Sequence, residues 1–160
     1  MSSSIKRFHV EKDAITGSKH IRDGTIPYTK LQENTIQFVV PIQLVDHATG
    51  LAADSTGTKW ESGRFKFIRK NLKEVKMRAT WTASHTDSVA EIQLYNVDLG
   101  AVAAELEGNA GTDQEVSVSL DNILEDDLYE IRVRVKTASA TSGATMDVIY
   151  VVLELIYGIS

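Results

Sequence analysis

Polar and apolar positions alternate along most of the chain beyond residue 36. In Leu72–Thr82, Val75, Met77, Ala79 and Trp81 fall on one side, and Lys76, Arg78 and Thr80 on the other. Within Val89–Asn96, Ile92 and Leu94 oppose Glu91, Gln93 and Tyr95. Val116, Val118 and Leu120 alternate with Ser117 and Ser119, and Ile131, Val133 and Val135 with Arg132, Arg134 and Lys136. A period of two sends successive side chains to opposite faces of a strand, and charge on one face marks an antiparallel sheet with one wet side. Phe38–Val45, Trp60–Ile68 and a short Val102–Leu106 read as further strands, with Pro41 marking an edge or a bulge. Met146–Ile156 is largely apolar at both parities, which requires a central place in a sheet or cover on its outer face. Turn-rich segments at Asp46–Gly57, Ser84–Ser88, Glu107–Asp113, Asp121–Asp127 and Ala138–Gly143 separate these runs. The pattern predicts an all-β fold over residues 36–160: an antiparallel β-sandwich, jelly-roll-like, of about eight strands and no helix.

Residues 1–35 follow a different rule. Ile21, Ile26, Leu31 and Ile36 recur every five residues, with Ile15 six before Ile21, a spacing that neither a helix nor a strand produces. Asp23, Gly24, Pro27 and Asn34 place turn formers between them. This predicts an extended N-terminal arm that pins one aliphatic side chain after another onto a host surface. Such a segment cannot bury those residues by itself, so ordering it requires a host.

Composition narrows the classes. The chain has 160 residues, enough for one ordinary domain, and no cysteine, so disulfides and thiolate metal sites are excluded. The opening MSSSIKRFHVEKD lacks an apolar core, so no signal peptide is expected. The apolar run Val148–Leu153 stops at Glu154, far short of a membrane helix, and no membrane partner is expected. The net charge of −5 is uneven. Residues 1–30 hold six basic and three acidic side chains, a net +3, which leaves −8 on the remainder. A basic arm on an acidic body favours contact between them, within a subunit or between neighbours.

The sequence offers little to catalysis, and we expect no enzyme and no cofactor. His9, His20, His47 and His85 share no zinc-ligand spacing, and neither a nucleophile elbow nor a phosphate-binding loop is present. The carboxylates of Asp121, Glu125, Asp126 and Asp127 crowd one loop that could hold calcium, but without the alternating ligand pattern of a calcium loop, and we read it as a solvated acidic turn with no metal site. From Lys59 to Arg78 basic residues interleave with Trp60, Phe65 and Phe67, a mixture that can bind single-stranded nucleic acid. Alternation accounts for Lys66, Lys76 and Arg78 as outer-face residues, and the acidic body opposes a nucleic-acid partner. Among Trp60, Trp81, Tyr95 and Tyr129, Trp81 ends an apolar series and reads as core. Trp60 and Tyr95 are the candidate glycan-binding platforms.

The segment His20-Ile21-Arg22-Asp23-Gly24-Thr25-Ile26-Pro27-Tyr28-Thr29-Lys30-Leu31 resembles an I-x-D-G-T-I-x-x-x-K-L pattern of tail-fibre and other virion proteins of tailed phages and archaeal viruses. The pattern covers about a dozen residues, stands once in this chain and carries Pro27 in its spacer. Ile92–Asn96 together with Tyr129–Val135 is similar to the jelly-roll modules of virion decoration and fibre-tip proteins, and to carbohydrate-binding modules. These resemblances imply a structural virion protein, made in the host cytoplasm: a capsid decoration (cement) or head/tail accessory protein. Its arm, through Ile15, Ile21, Asp23, Gly24, Ile26, Leu31 and Ile36, would clasp neighbouring subunits of a homo-oligomer, expected to be a trimer, or capsid or tail proteins. The alternative is a receptor- or carbohydrate-binding sandwich, a fibre tip or module with a glycan partner.

Overall fold

The computed structural model describes residues 37–158, without the side chains of 37–39 and 44–46. The arm of residues 1–35 and its anchors Ile15, Ile21, Asp23, Gly24, Ile26 and Leu31, together with Ile36, lie outside the described residues.

Eight strands follow one another: β1 (Gln37–Ala52), β2 (Gly57–Glu61), β3 (Leu72–Ala83), β4 (Val89–Asn96), β5 (Ala101–Gly108), β6 (Ala110–Val118), β7 (Tyr129–Thr137) and β8 (Thr145–Gly158). Among the described residues one 3₁₀ turn, Leu120–Asn122, interrupts them, with the Asp121 N–H donating to the Ser119 hydroxyl. The strands form two four-stranded sheets, β1-β8-β3-β6 and β2-β7-β4-β5, with every pairing antiparallel. In six of the seven steps between consecutive strands the chain passes to the other sheet, β4 to β5 being the exception, so it winds back and forth between the sheets in the manner of a jelly roll.

The core lies where the two inner faces meet. Val75, Met77, Ala79 and Trp81 of β3 face Ile92 and Leu94 of β4 and Ile131, Val133 and Val135 of β7, all of them buried. Strand β8 has the central position that its two apolar faces require, between β1 and β3. Its inward parity changes midway. Met146 and Val148 are buried first, then Val151, Leu153 and Leu155. An irregularity in the β3–β8 register, between Thr80 and Trp81 opposite Val148 and Tyr150, makes the switch.

Three boundaries differ from the alternation. Strand β1 runs through Asp46–Ala52, where the sequence suggests a turn. Register shifts at Gln43/Val45 and Ala48/Leu51, with positive φ at His47 and Gly50, absorb the turn formers inside a long bulged edge strand. Strand β2 ends at Glu61, so Phe65 and Phe67 belong to a connector joined to β7 by the bridge Phe65↔Tyr129. Strand β6 begins at Ala110, although Gly108-Asn109-Ala110-Gly111 reads as a loop. Gly111 is needed there because a Cβ would stand 2.4 Å from the Trp81 ring.

Candidate assembly surface

The connections sort to two ends of the sandwich. At one end lie residues 53–56, 84–88, 109 and 138–144. At the other lie residues 62–71, 97–100 and 119–128, together with the start of β1 and the finish of β8, since Gln37 stands opposite Gly158 and Leu72 opposite Tyr157.

The first end is polar and cross-braced. Asp87 accepts from the Ser139 hydroxyl at 2.7 Å and from the Ala140 N–H at 2.9 Å, and these bonds hold its carboxyl below the usual carboxylate range. The Gly143 N–H donates to Asp54 at 2.8 Å, and Asn109 Nδ2 donates to the His85 carbonyl at 2.7 Å. Backbone bonds Ala53 N–H to Ala144 O and Ser84 N–H to Thr145 O, both 2.8 Å, tie the connectors to one another.

The second end is organised by Tyr129, which is fully buried. Its hydroxyl accepts from the Leu124 N–H at 2.8 Å and from Asn96 Nδ2 at 3.0 Å, and donates to the Asn122 carbonyl at 3.0 Å. Phe65 and Phe67 pack on its ring, with centroids 6.5 and 4.9 Å away. Loss of solvent pushes the phenol up from its ordinary value. Tyr129 is therefore a buried post whose polar tip gathers the 119–128 loop, and it offers no face to a sugar.

Around this post the surface turns apolar. Val40, Ile68, Leu99, Val102 and Leu124 are the exposed large hydrophobics among the described residues, and all five lie at this end. Ile68 is 70% exposed and Leu99 61%. Between the start of β1, the finish of β8 and the 62–71 connector runs an open groove of about 560 Å³. Val40, Ile42, Ile68, Leu155 and Tyr157 line it, with Lys66 and Lys70 among its polar residues. Burial also pushes the Tyr157 phenol up from its ordinary value. The alternation assigns Ile68 to a strand. Its exposure follows from the connector that replaces that strand, and the sequence carries no signal for it.

The outer faces of the sheets are laced with ion pairs. On β4, Glu91 has a side chain only 9% exposed, between Arg134 at 3.2 Å and Lys136 at 3.6 Å. Gln93 Nε2 bridges toward Glu105 at 2.7 Å, and Lys136 reaches Glu107 at 2.6 Å. Glu130 sits between Arg132 at 2.6 Å and Arg64 at 3.5 Å. Alternation places Glu91 and Gln93 on the outer face but cannot show that longer neighbours bury them there, as they bury Glu130. On the other sheet Arg78 links Glu154, at 2.9 Å, with Asp113. Asp113 is held below the usual carboxylate range by the Tyr150 hydroxyl and then by that guanidinium.

Glu91, Glu105 and Glu107 form the one group of three potential metal ligands among the described residues. Arg134 and Lys136 offset two of its three charges and Gln93 donates to Glu105, so the group is part of a salt-bridge lattice. In the acidic loop the carboxylates diverge: Asp127 accepts from Asn96 at 2.7 Å, while Asp126 lies 3.8 Å from Lys66.

The two candidate glycan platforms are not brought together. Trp60 is half-buried, registers with inward-facing Val133 and packs against the core, beside a shallow hollow of Thr58–Glu61. Tyr95 registers with Glu130 on the outer face, where the Arg132 guanidinium lies 3.4 Å from its ring centre. Trp81 is core, as its place in the apolar series suggests, with its indole N–H donating to the Gly108 carbonyl at 3.1 Å.

No family model matches the chain, and no curated protein matches it. Two solved structures of infectious bursal disease virus are similar in part. The Gx-strain structure aligns with 77% of this chain at 16% identity and a TM-score of 0.39. The Gt-strain structure aligns with 78% at 13% identity and a TM-score of 0.41. The chain spans about a third of the length of each, 32% and 37% respectively, and both TM-scores are low.

Proposed function

We propose that the protein is a structural component of a virus particle. It is a homo-oligomeric capsid decoration or head/tail accessory protein, assembled by an N-terminal arm that clasps neighbouring subunits. The observation that carries this reading is the gathering of Val40, Ile68, Leu99, Val102 and Leu124 at the end of the sandwich where residues 1–36 join it. Exposed aliphatics confined to one end of a fold mark an interaction surface. The strand order supports it as well, since eight-stranded jelly rolls recur in viral capsid and lectin domains. The resemblance of Ile21–Leu31 to virion-protein arms points the same way. Each arm aliphatic that becomes fully buried contributes roughly 1.5–3 kcal/mol before the cost of ordering the chain.

Removal of residues 1–35 tests this directly. Native mass measurement should find the full chain as a homo-oligomer, in our proposal a trimer, and the truncated chain as a folded monomer. A truncated chain that assembles as before would overturn the reading.

A second reading, a glycan-binding module, is favoured by the half-buried Trp60 beside its hollow. It requires saturable binding on a glycan array that Trp60→Ala abolishes.

A further inference from the structure

We propose that the groove between β1, β8 and the 62–71 connector is the receptor for residues 31–36 of a second copy of this chain. This inference rests on the assembly reading above and names the contact that the reading leaves open.

Three observations select this occupant. The groove is built to hold aliphatic side chains: Val40, Ile42, Leu155 and Tyr157 form its walls, and Ile68 stands at its mouth with 70% of its surface in solvent. Its cations suit a carboxylate: Lys70 lines the groove, and Lys66, mostly exposed, has only the distant Asp126 at 3.8 Å as an ion-pair partner among the described residues. Leu31-Gln32-Glu33-Asn34-Thr35-Ile36 supplies aliphatics at both ends and Glu33 between them, with no basic residue, whereas residues 1–30 carry a net +3 that the same lysines repel. The third observation is position. Thirty-six residues precede Gln37, and Gln37 stands opposite Gly158, a groove residue, so this segment is tethered at the groove's own end of the sandwich.

Tethering also argues for exchange between copies. An extended chain advances about 3.3 Å per residue, so Leu31 lies within roughly 20 Å of Gln37. A segment extended in the direction of β1 would point away from its own groove, and reaching that groove would take a reversal inside six residues. Copies that share this end can pass the segments on, each to its neighbour around a closed ring such as a trimer, without any reversal. Each copy then gives one segment and receives one, which closes a symmetric assembly.

The chain has no cysteine, so engineered thiols report on this contact alone. Full-length Leu31→Cys protein is mixed under mild oxidation with full-length Ile68→Cys protein carrying a size tag. Thr141→Cys, exposed in the connector at the opposite end, replaces Ile68→Cys in the control. We expect the mixed disulfide between Leu31→Cys and Ile68→Cys to exceed the control at least about tenfold, because a docked segment raises the local thiol concentration to the millimolar range. No excess over the control overturns the groove as receptor. The double variant on one chain gives the third readout: a disulfide formed only within single chains overturns the exchange.

Ile68→Glu in the full chain provides a second measurement. Its side chain is mostly in solvent, so the fold is retained while self-association weakens by about tenfold or more. Unchanged association of Ile68→Glu, alongside loss of association on removing residues 1–35, would refute the groove and leave the arm reading standing. Unchanged association of both variants would refute both.

Discussion

The two ends of the sandwich are held by different means. At the polar end, exposed or half-buried side chains each make one or two bonds between connectors: Asp87 to Ser139 and Ala140, Asp54 to Gly143, Asn109 to His85. At the apolar end one buried hydroxyl, that of Tyr129, meets three partners at once, while aliphatic side chains around it remain in water. Bonds exposed to solvent exchange with water and contribute little singly, whereas a buried polar group left without its partner costs its full desolvation penalty. The polar end is therefore stabilised in small increments. The apolar end depends on one post and leaves its surface to something else.

This contrast can be broken by mutation. The largest effect should come from Tyr129→Ala, which removes the post and leaves a cavity against Phe65 and Phe67. A loss of about 3–5 kcal/mol is expected in urea unfolding. Next comes Gly111→Ala, where a methyl group meets the Trp81 ring. Overpacking should cost about 1–3 kcal/mol. Tyr129→Phe keeps the ring and removes the hydroxyl, leaving the Leu124 N–H, the Asn96 amide and the Asn122 carbonyl to find new partners, at a cost of about 1–3 kcal/mol.

The smallest effect belongs to Asp87. Its folded-state carboxyl titrates below the unfolded value, so its contribution is present above about pH 4 and fades as pH falls through the folded value. Asp87→Asn should flatten the acid limb of a melting-temperature profile slightly and leave neutral stability close to that of the parent. If Asp87→Asn costs as much at neutral pH as Tyr129→Phe, the two ends are not built differently and the contrast fails.

How much of this is legible in the sequence depends on what breaks the alternation. Strands β3, β4 and β7 are legible because side chains of period two are apolar on the side that faces the core and polar on the other. The central place of β8 is legible because Val148–Leu153 is apolar at both parities. Strand β1 is hidden by Pro41, His47 and Gly50, which look like the punctuation of a turn yet are bulges along an edge. The connector carrying Phe65, Phe67 and Ile68 is hidden for the opposite reason. Its alternation suits a strand, but Phe65 and Phe67 pack on Tyr129 instead of continuing a ladder. The groove follows from that connector, so its walls could not be read from residue order. The ion-pair lattice over Glu91 and Glu130 depends on cross-strand register, which one chain's pattern does not contain.

Edge strands expose unpaired backbone groups and invite foreign strands to add to a sheet. At 16 residues, β1 is the longest edge strand among the described residues, and it is poorly suited to such addition. Pro41 brings no N–H, and the shifts at Gln43/Val45 and Ala48/Leu51 spoil any straight register beyond it. Only a short stretch ahead of Pro41 remains regular. Uncontrolled stacking of sandwiches into fibrils is thereby discouraged along most of this edge, a property that a protein crowded at high local density on a shared surface would need.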